Sequence, residues 1–118
     1  MLLTERSAVA LIPLEPMHAW VCQLEAECAF SLEALQREPN VYLVPSVEND
    51  AGLAELLPQF AEALFVKELE AWSSDEAGYP PRDPETFARW FRLVRYSRVF
   101  DAVPDDPLFD DSEVLHAR

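Results

Sequence analysis

The sequence predicts an α/β domain: a small sheet of about three strands packed with about four helices, in the order β-α-α-β-α-α-β. Three observations carry this. Two short runs, 7–14 (SAVALIPL) and 41–45 (VYLVP), are apolar at nearly every position, as strands covered on both faces are. From Leu53 to Trp72, apolar residues recur at steps of three and four (Leu53, Leu56, Leu57, Phe60, Leu64, then Phe65, Leu69, Trp72), the spacing of one helical face. The segment 95–103 (RYSRVFDAV) alternates with period two, as a half-covered edge strand does.

In chain order, Pro13 ends the first strand because it offers no N–H to a ladder, and Pro16 suits a first helical turn. Met17, Trp20, Val21, Leu24 and Cys28 continue as a helical stripe, with Glu25 and Glu27 facing away. A second short helix follows Ser31, a good N-cap, with Leu32 and Leu35 inward, and stops at Pro39-Asn40. The second strand ends at Pro45. The two strand–proline–acidic–helix passages repeat 32 residues apart by their prolines, Pro13 and Pro45. Neighbouring parallel strands joined by a right-handed crossover are therefore expected. Asn49 or Asp50 caps the long helix, in which Pro58 removes a backbone donor and forces a kink or a restart. Trp72 closes it. Asp83-Pro84-Glu85 opens the last helix with a cap, a first-turn proline and an acid at the positive dipole end. Phe87, Trp90, Phe91 and Val94 form its buried face. Residues 1–103 make one α/β domain, and 104–118, with five acids in fifteen residues, read as a loosely docked acidic tail.

Composition narrows the classes of function. At 118 residues, half of them apolar, the chain can bury roughly two-thirds of its unfolded surface. The longest apolar runs fall well short of the ~20 residues a membrane span needs. The start lacks the basic region and small-residue cleavage site of a secretory signal. Cys22 and Cys28 alone give no disulfide framework, so a reduced, cytoplasmic setting is the default. A net charge of −13 opposes binding to nucleic acid or an anionic membrane and favours a basic protein partner. The segment 82–98 holds five of the nine basic residues (Arg82, Arg89, Arg92, Arg95, Arg98); against Asp83 and Glu85 it nets +3, leaving −16 elsewhere. An intramolecular match is the simplest use of that asymmetry, and self-association is another.

The motifs SLEAL and EPNVYLVP, Trp72 with Asp75-Glu76, then Pro80, Arg82, Phe87, the Trp90-Phe91 pair and VFDAV together resemble a family of small acidic bacterial proteins of unknown function. The resemblance covers roughly residues 7 to 103. It implies a bacterial, cytoplasmic protein and supplies no activity and no catalytic residue.

Chemistry-bearing patterns are sparse. His18, Cys22 and Glu25 share a helix side at i, i+4 and i+7, but the sequence shows no second cluster to complete a metal site. Asp105-Asp106 and Asp110-Asp111 lie on a proline-broken tail without the glycine turn of a calcium loop. Gly52 and Gly78 stand alone, so no phosphate loop is available, and no G-x-S-x-G supports a nucleophile. Carboxylate neighbours such as Glu68/Glu70 carry no weight in so acidic a chain. Hence no catalytic set, cofactor or metal is expected. The residue set that fits an interaction surface is Trp72, Asp75, Glu76, Tyr79 and Arg82, with Arg98 if the last strand lies near; the same side chains also suit pinning a long loop to its core. The leading expectation is a non-enzymatic acidic protein that binds another protein. The alternatives are a pocket under the 72–82 loop serving a small ligand or an enzyme, and a structural homo-oligomer.

Overall fold

The computed structural model describes residues 1–24 and 28–108. Glu25, Glu27, Asp110, Asp111 and the rest of the tail from 109 to 118 lie outside the described residues. The α/β architecture is present, with strands β1 (Leu2–Leu3), β2 (Arg6–Pro13), β3 (Asn40–Pro45), β4 (Phe91–Tyr96) and β5 (Phe100–Asp101). The helices are α1 (Glu15–Leu24), α2 (Leu32–Gln36), α3 (Asp50–Leu56), α4 (Ala61–Glu70) and α5 (Pro84–Trp90). β3, β2 and β4 form one sheet in that order; β1 and β5 pair separately.

Local chemistry sets the helix ends. Ser31, Asn49 and Asp83 each accept a hydrogen bond from a first-turn N–H, at 3.1, 2.7 and 2.9 Å. Pro58 acts as its missing donor requires: the long apolar stripe breaks into α3 and α4 around a 3₁₀ turn at Leu57–Gln59.

Two expectations are corrected. β2 and β3 are antiparallel, not parallel, with Ser7 opposite Val44 and Leu11 opposite Asn40. A parallel neighbour needs one crossover, whereas here two helices, α1 and α2, intervene. They carry the chain out and back, so β3 starts beside the end at which β2 finished. The third strand is also earlier than 95–103: Phe91 and Val94 leave the helix and pair with Pro13 and Ala10. FRLVRY satisfies both a helical and an alternating pattern, and pairing with the central strand decides the matter; Leu14 N–H donating to Trp90 O at 2.8 Å marks the point of change. Only Phe100–Asp101 of the remainder is strand, and it pairs with the unexpected β1.

The core lies between one sheet face and the helices. Val9, Leu11, Val44 and Phe91 meet Met17, Trp20, Val21, Leu53, Ala61, Phe65, Leu69 and Phe87. Phe65 is the centre, 5.5–5.6 Å by ring centroid from Phe87, Trp90 and Phe91. Buried Ser7 accepts from Val47 N–H at 2.9 Å, and its hydroxyl can donate to Val47 O or Ser97 O, tying the loops after β3 and β4 to the central strand.

Candidate functional site

The sequence-selected loop is fastened at several points. Trp20 Nε1 donates to Gly78 O at 3.0 Å, and Tyr79 lies edge-on to the Trp20 ring. Tyr79 hydroxyl donates to Ser73 O at 2.5 Å. Asp75 accepts from Ala77 N–H at 3.2 Å, Glu76 begins the 3₁₀ turn Glu76–Gly78, and the Arg82 guanidinium lies 5.6 Å from the Tyr79 ring centroid. Trp72 stacks on Phe30 and, with Ala34, Leu35 and Glu38, borders an open depression of about 320 Å³. Trp72 is the loop's sole contribution to that depression. Arg98 instead lines another depression, about 410 Å³, with Leu3, Thr4, Ser46, Glu48 and Ser97. The structure thus gathers Trp72, Asp75, Glu76, Tyr79 and Arg82 into one pinned loop and lines a separate depression with Arg98.

The arginines are partly matched within the chain. Arg95 Nε donates to Asp50 Oδ1 at 3.0 Å and its Nη1 to Glu48 O at 3.2 Å, joining β4 to the start of α3. Arg89 Nη2 donates to Thr86 Oγ1 at 3.3 Å. The bonds from Thr86 N–H and hydroxyl hold the Asp83 carboxyl below the usual carboxylate range.

Beneath the helices, buried Glu68 Oε2 accepts from the Tyr42 hydroxyl and, at 2.8 Å, from Asn40 Nδ2. Burial first, then the bond to Glu68, pushes the Tyr42 phenol well above its ordinary range. The sequence held a signal for this: Glu68 falls on the inward stripe between Phe65 and Leu69, where an exposed acid does not belong.

The other sheet face is different. Register places Ala8 beside Leu43 and Tyr96, and Ala10 beside Val41 and Val94, all pointing away from the helices. Val41, Leu43 and Tyr96 are 58%, 48% and 52% exposed. Arg6 and Arg92 border this patch at opposite ends of β2, next to Pro45 and Ile12. Since Ala8 and Ala10 are small, the surface is a shallow valley along β2 between two apolar ridges.

A third cluster sits at the end of α1. Cys22 and Cys28 are joined in a disulfide, and His18 Nε2 lies 3.4 Å from Cys22 Sγ and 3.8 Å from Cys28 Sγ. By sequence His18 and Cys22 lack further ligands; in the structure Cys28 lies beside both, and its disulfide to Cys22 corrects the expectation of two reduced cysteines. Compared with known proteins, the chain matches no family model, no curated protein and no solved structure.

Proposed function

We propose that this chain is a non-enzymatic protein-binding domain that docks through the uncovered face of its sheet, and that the partner seated there is a second copy of itself. The observation that carries this is the exposure of Val41 and Leu43 on one side, and of Tyr96 on the other, of Ala8 and Ala10, which are buried between them. Single exposed apolar residues are ordinary; a continuous apolar face on one side of a sheet marks an interaction site.

Shape favours a second copy. A ridge of one sheet can enter the alanine valley of another, and a two-fold axis makes that fit reciprocal. Sheets so stacked lie ~10 Å apart, a distance that side chains of valine and leucine size fill. Charge sets the condition: Arg6 and Arg92 flank the patch and each chain carries −13, so two copies repel at long range and association should strengthen as salt screens that repulsion. A basic protein partner, the expectation from net charge, suits the acidic surface away from this face.

Sedimentation equilibrium over a wide concentration range tests the reading. The wild-type chain should show a dimer mass, and Leu43→Glu should weaken association by more than about tenfold, since each 1.4 kcal/mol is tenfold, with an unchanged far-UV spectrum. A wild-type monomer at the highest attainable concentration refutes it. A dimer indifferent to Leu43→Glu removes the sheet face and leaves the edge strand or the arginine helix as the contact.

A further inference from the structure

We propose that His18, Cys22 and Cys28 form a redox-gated zinc site, in which the disulfide seen here is the metal-free, oxidised state and the reduced pair of thiolates with His18 Nε2 supplies three ligands to Zn²⁺. The site owes nothing to the sheet face, and either reading can fail without the other.

The geometry carries this. His18 and Cys22 lie one turn apart on α1, so both side chains project from the same side of the helix. Cys28 returns to the same place, and the three potential ligand atoms lie within 4.8 Å of one another. With Zn–S of ~2.3 Å and Zn–N of ~2.0–2.1 Å, tetrahedral geometry sets N···S separations of ~3.6 Å. The observed separations of His18 Nε2 from the two sulfurs, 3.4 and 3.8 Å, bracket that value, and once the bond between them is opened the sulfurs must part to the ~3.8 Å that the same geometry sets. One imidazole and two thiolates form a borderline-soft donor set that suits zinc. A fourth position is left to water.

The surroundings suit a gate. Cys28 is exposed, so an external dithiol can reach the disulfide, whereas His18 and Cys22 are half-buried. The Phe30 ring stands edge-on to His18, 6.0 Å away by centroid, and itself stacks on Trp72, forming an apolar wall beside the cluster. Phe30 O lies 2.9 Å from His18 Nε2, a hydrogen bond that orients the ring when that nitrogen carries the proton. Metal binding requires the other tautomer, with the proton on Nδ1, and a turn of the ring that takes the Nε2 lone pair from Phe30 O toward the sulfurs.

The chemistry balances in two steps. An external dithiol transfers two electrons and two protons, becoming a disulfide while the Cys22–Cys28 bond opens to two thiols. Zn²⁺ then displaces both thiol protons and binds the thiolates and the imidazole. An external disulfide reverses the sequence by accepting the two electrons and, with two protons from solvent, becoming a dithiol, while Cys22 and Cys28 rejoin and Zn²⁺ is released, because sulfurs bonded to each other no longer offer thiolates.

The test uses the full chain, reduced with a phosphine under anaerobic conditions and titrated with Co²⁺ and then Zn²⁺. Expected results are a thiolate-to-cobalt charge-transfer band and tetrahedral visible bands saturating at one metal per chain, displacement by Zn²⁺, and protection of both thiols from alkylation. Oxidised protein, Cys22→Ser and Cys28→Ser should show no such band, and His18→Gln should bind more than about tenfold more weakly, the scale on which groups around a metal act. Absence of the band in folded, reduced wild-type protein overturns the proposal, as does equal affinity in His18→Gln. Far-UV circular dichroism of the reduced, metal-free chain and of the Cys22→Ser/Cys28→Ser double variant covers the remaining case. If reduction unfolds the chain and zinc fails to restore it, the disulfide is purely structural and the proposal falls; if zinc restores the fold, the proposal stands.

Discussion

The two faces of the β3-β2-β4 sheet are built from the same residue types and behave differently. On the inner face, Val9, Leu11, Val44 and Phe91 meet helices and are almost fully buried. On the outer face, Val41 and Leu43 are aliphatic too, yet about half exposed. Residue type therefore does not tell which face is core. What separates them is the polar chemistry that accompanies burial: the inner face carries Ser7, Tyr42 and Arg95, each hydrogen-bonded. Among the described residues, the outer face has Arg6 and Arg92 at its ends and the exposed Tyr96 hydroxyl at its edge. A buried face must satisfy its polar groups; a docking face keeps them at its rim.

Substitutions on the two sides sharpen this contrast. The largest effect belongs to Phe65→Ala, which removes a fully buried ring from among three other aromatics and should cost about 3–5 kcal/mol in denaturant unfolding. A loss below about 1 kcal/mol would mean the inner face is not the core.

Next is Tyr42→Phe, which takes a donor from buried Glu68 and should cost about 1.5–3 kcal/mol, the range for hydrogen bonds to charged groups. The same side chain gives a pH signature. Its folded-state pKa lies above the unfolded value near 10, so the folded chain holds the proton more tightly. The stability this contributes is whole below that pH and is lost as pH rises above it. Wild-type unfolding midpoints should fall on the alkaline side more steeply than those of Tyr42→Phe; parallel curves would break the assignment.

Smaller still is Asn49→Ala, which removes the cap on Gly52 N–H at the start of α3 and should cost about 1 kcal/mol. The smallest effect is expected on the outer face. At concentrations where the chain is monomeric, Leu43→Ser should change stability by less than about 0.5 kcal/mol, as surface substitutions do. A larger loss would show that something in the chain covers this face.

Much of the fold was legible. The two apolar strands, the stripe of α1 as far as Val21, the caps at Ser31 and Asp83 and the break at Pro58 all follow from residues within a turn or two of one another. The cover expected on both faces of 41–45 and the extension of the stripe to Cys28 do not hold, since Val41 and Leu43 are exposed and α1 ends at Leu24. The segment 91–96 was not, because FRLVRY fits two periodicities and pairing with a distant strand chose between them. Of the interaction residues, Trp72, Asp75, Glu76, Tyr79 and Arg82 do share a loop, but its attachment to Trp20 depends on a contact 58 residues away in sequence. Glu68 was legible in principle from its place on the apolar stripe. The approach of Cys28 to His18 was not, since Cys28 lies outside α1 and the helical period says nothing of where it comes to rest.

The sequence by itself determined most of the helical segments, the strands at 7–14 and 41–45 and the capped helix starts at Ser31, Asn49 and Asp83, since backbone donors, proline geometry and side-chain period act over a few neighbouring residues. Tertiary structure alone decided the antiparallel sense of β2 and β3, the side of the sheet left open, and the meeting of His18 with both cysteines. These depend on how loops close between distant segments, and loop closure leaves no periodic trace in the residues that it joins.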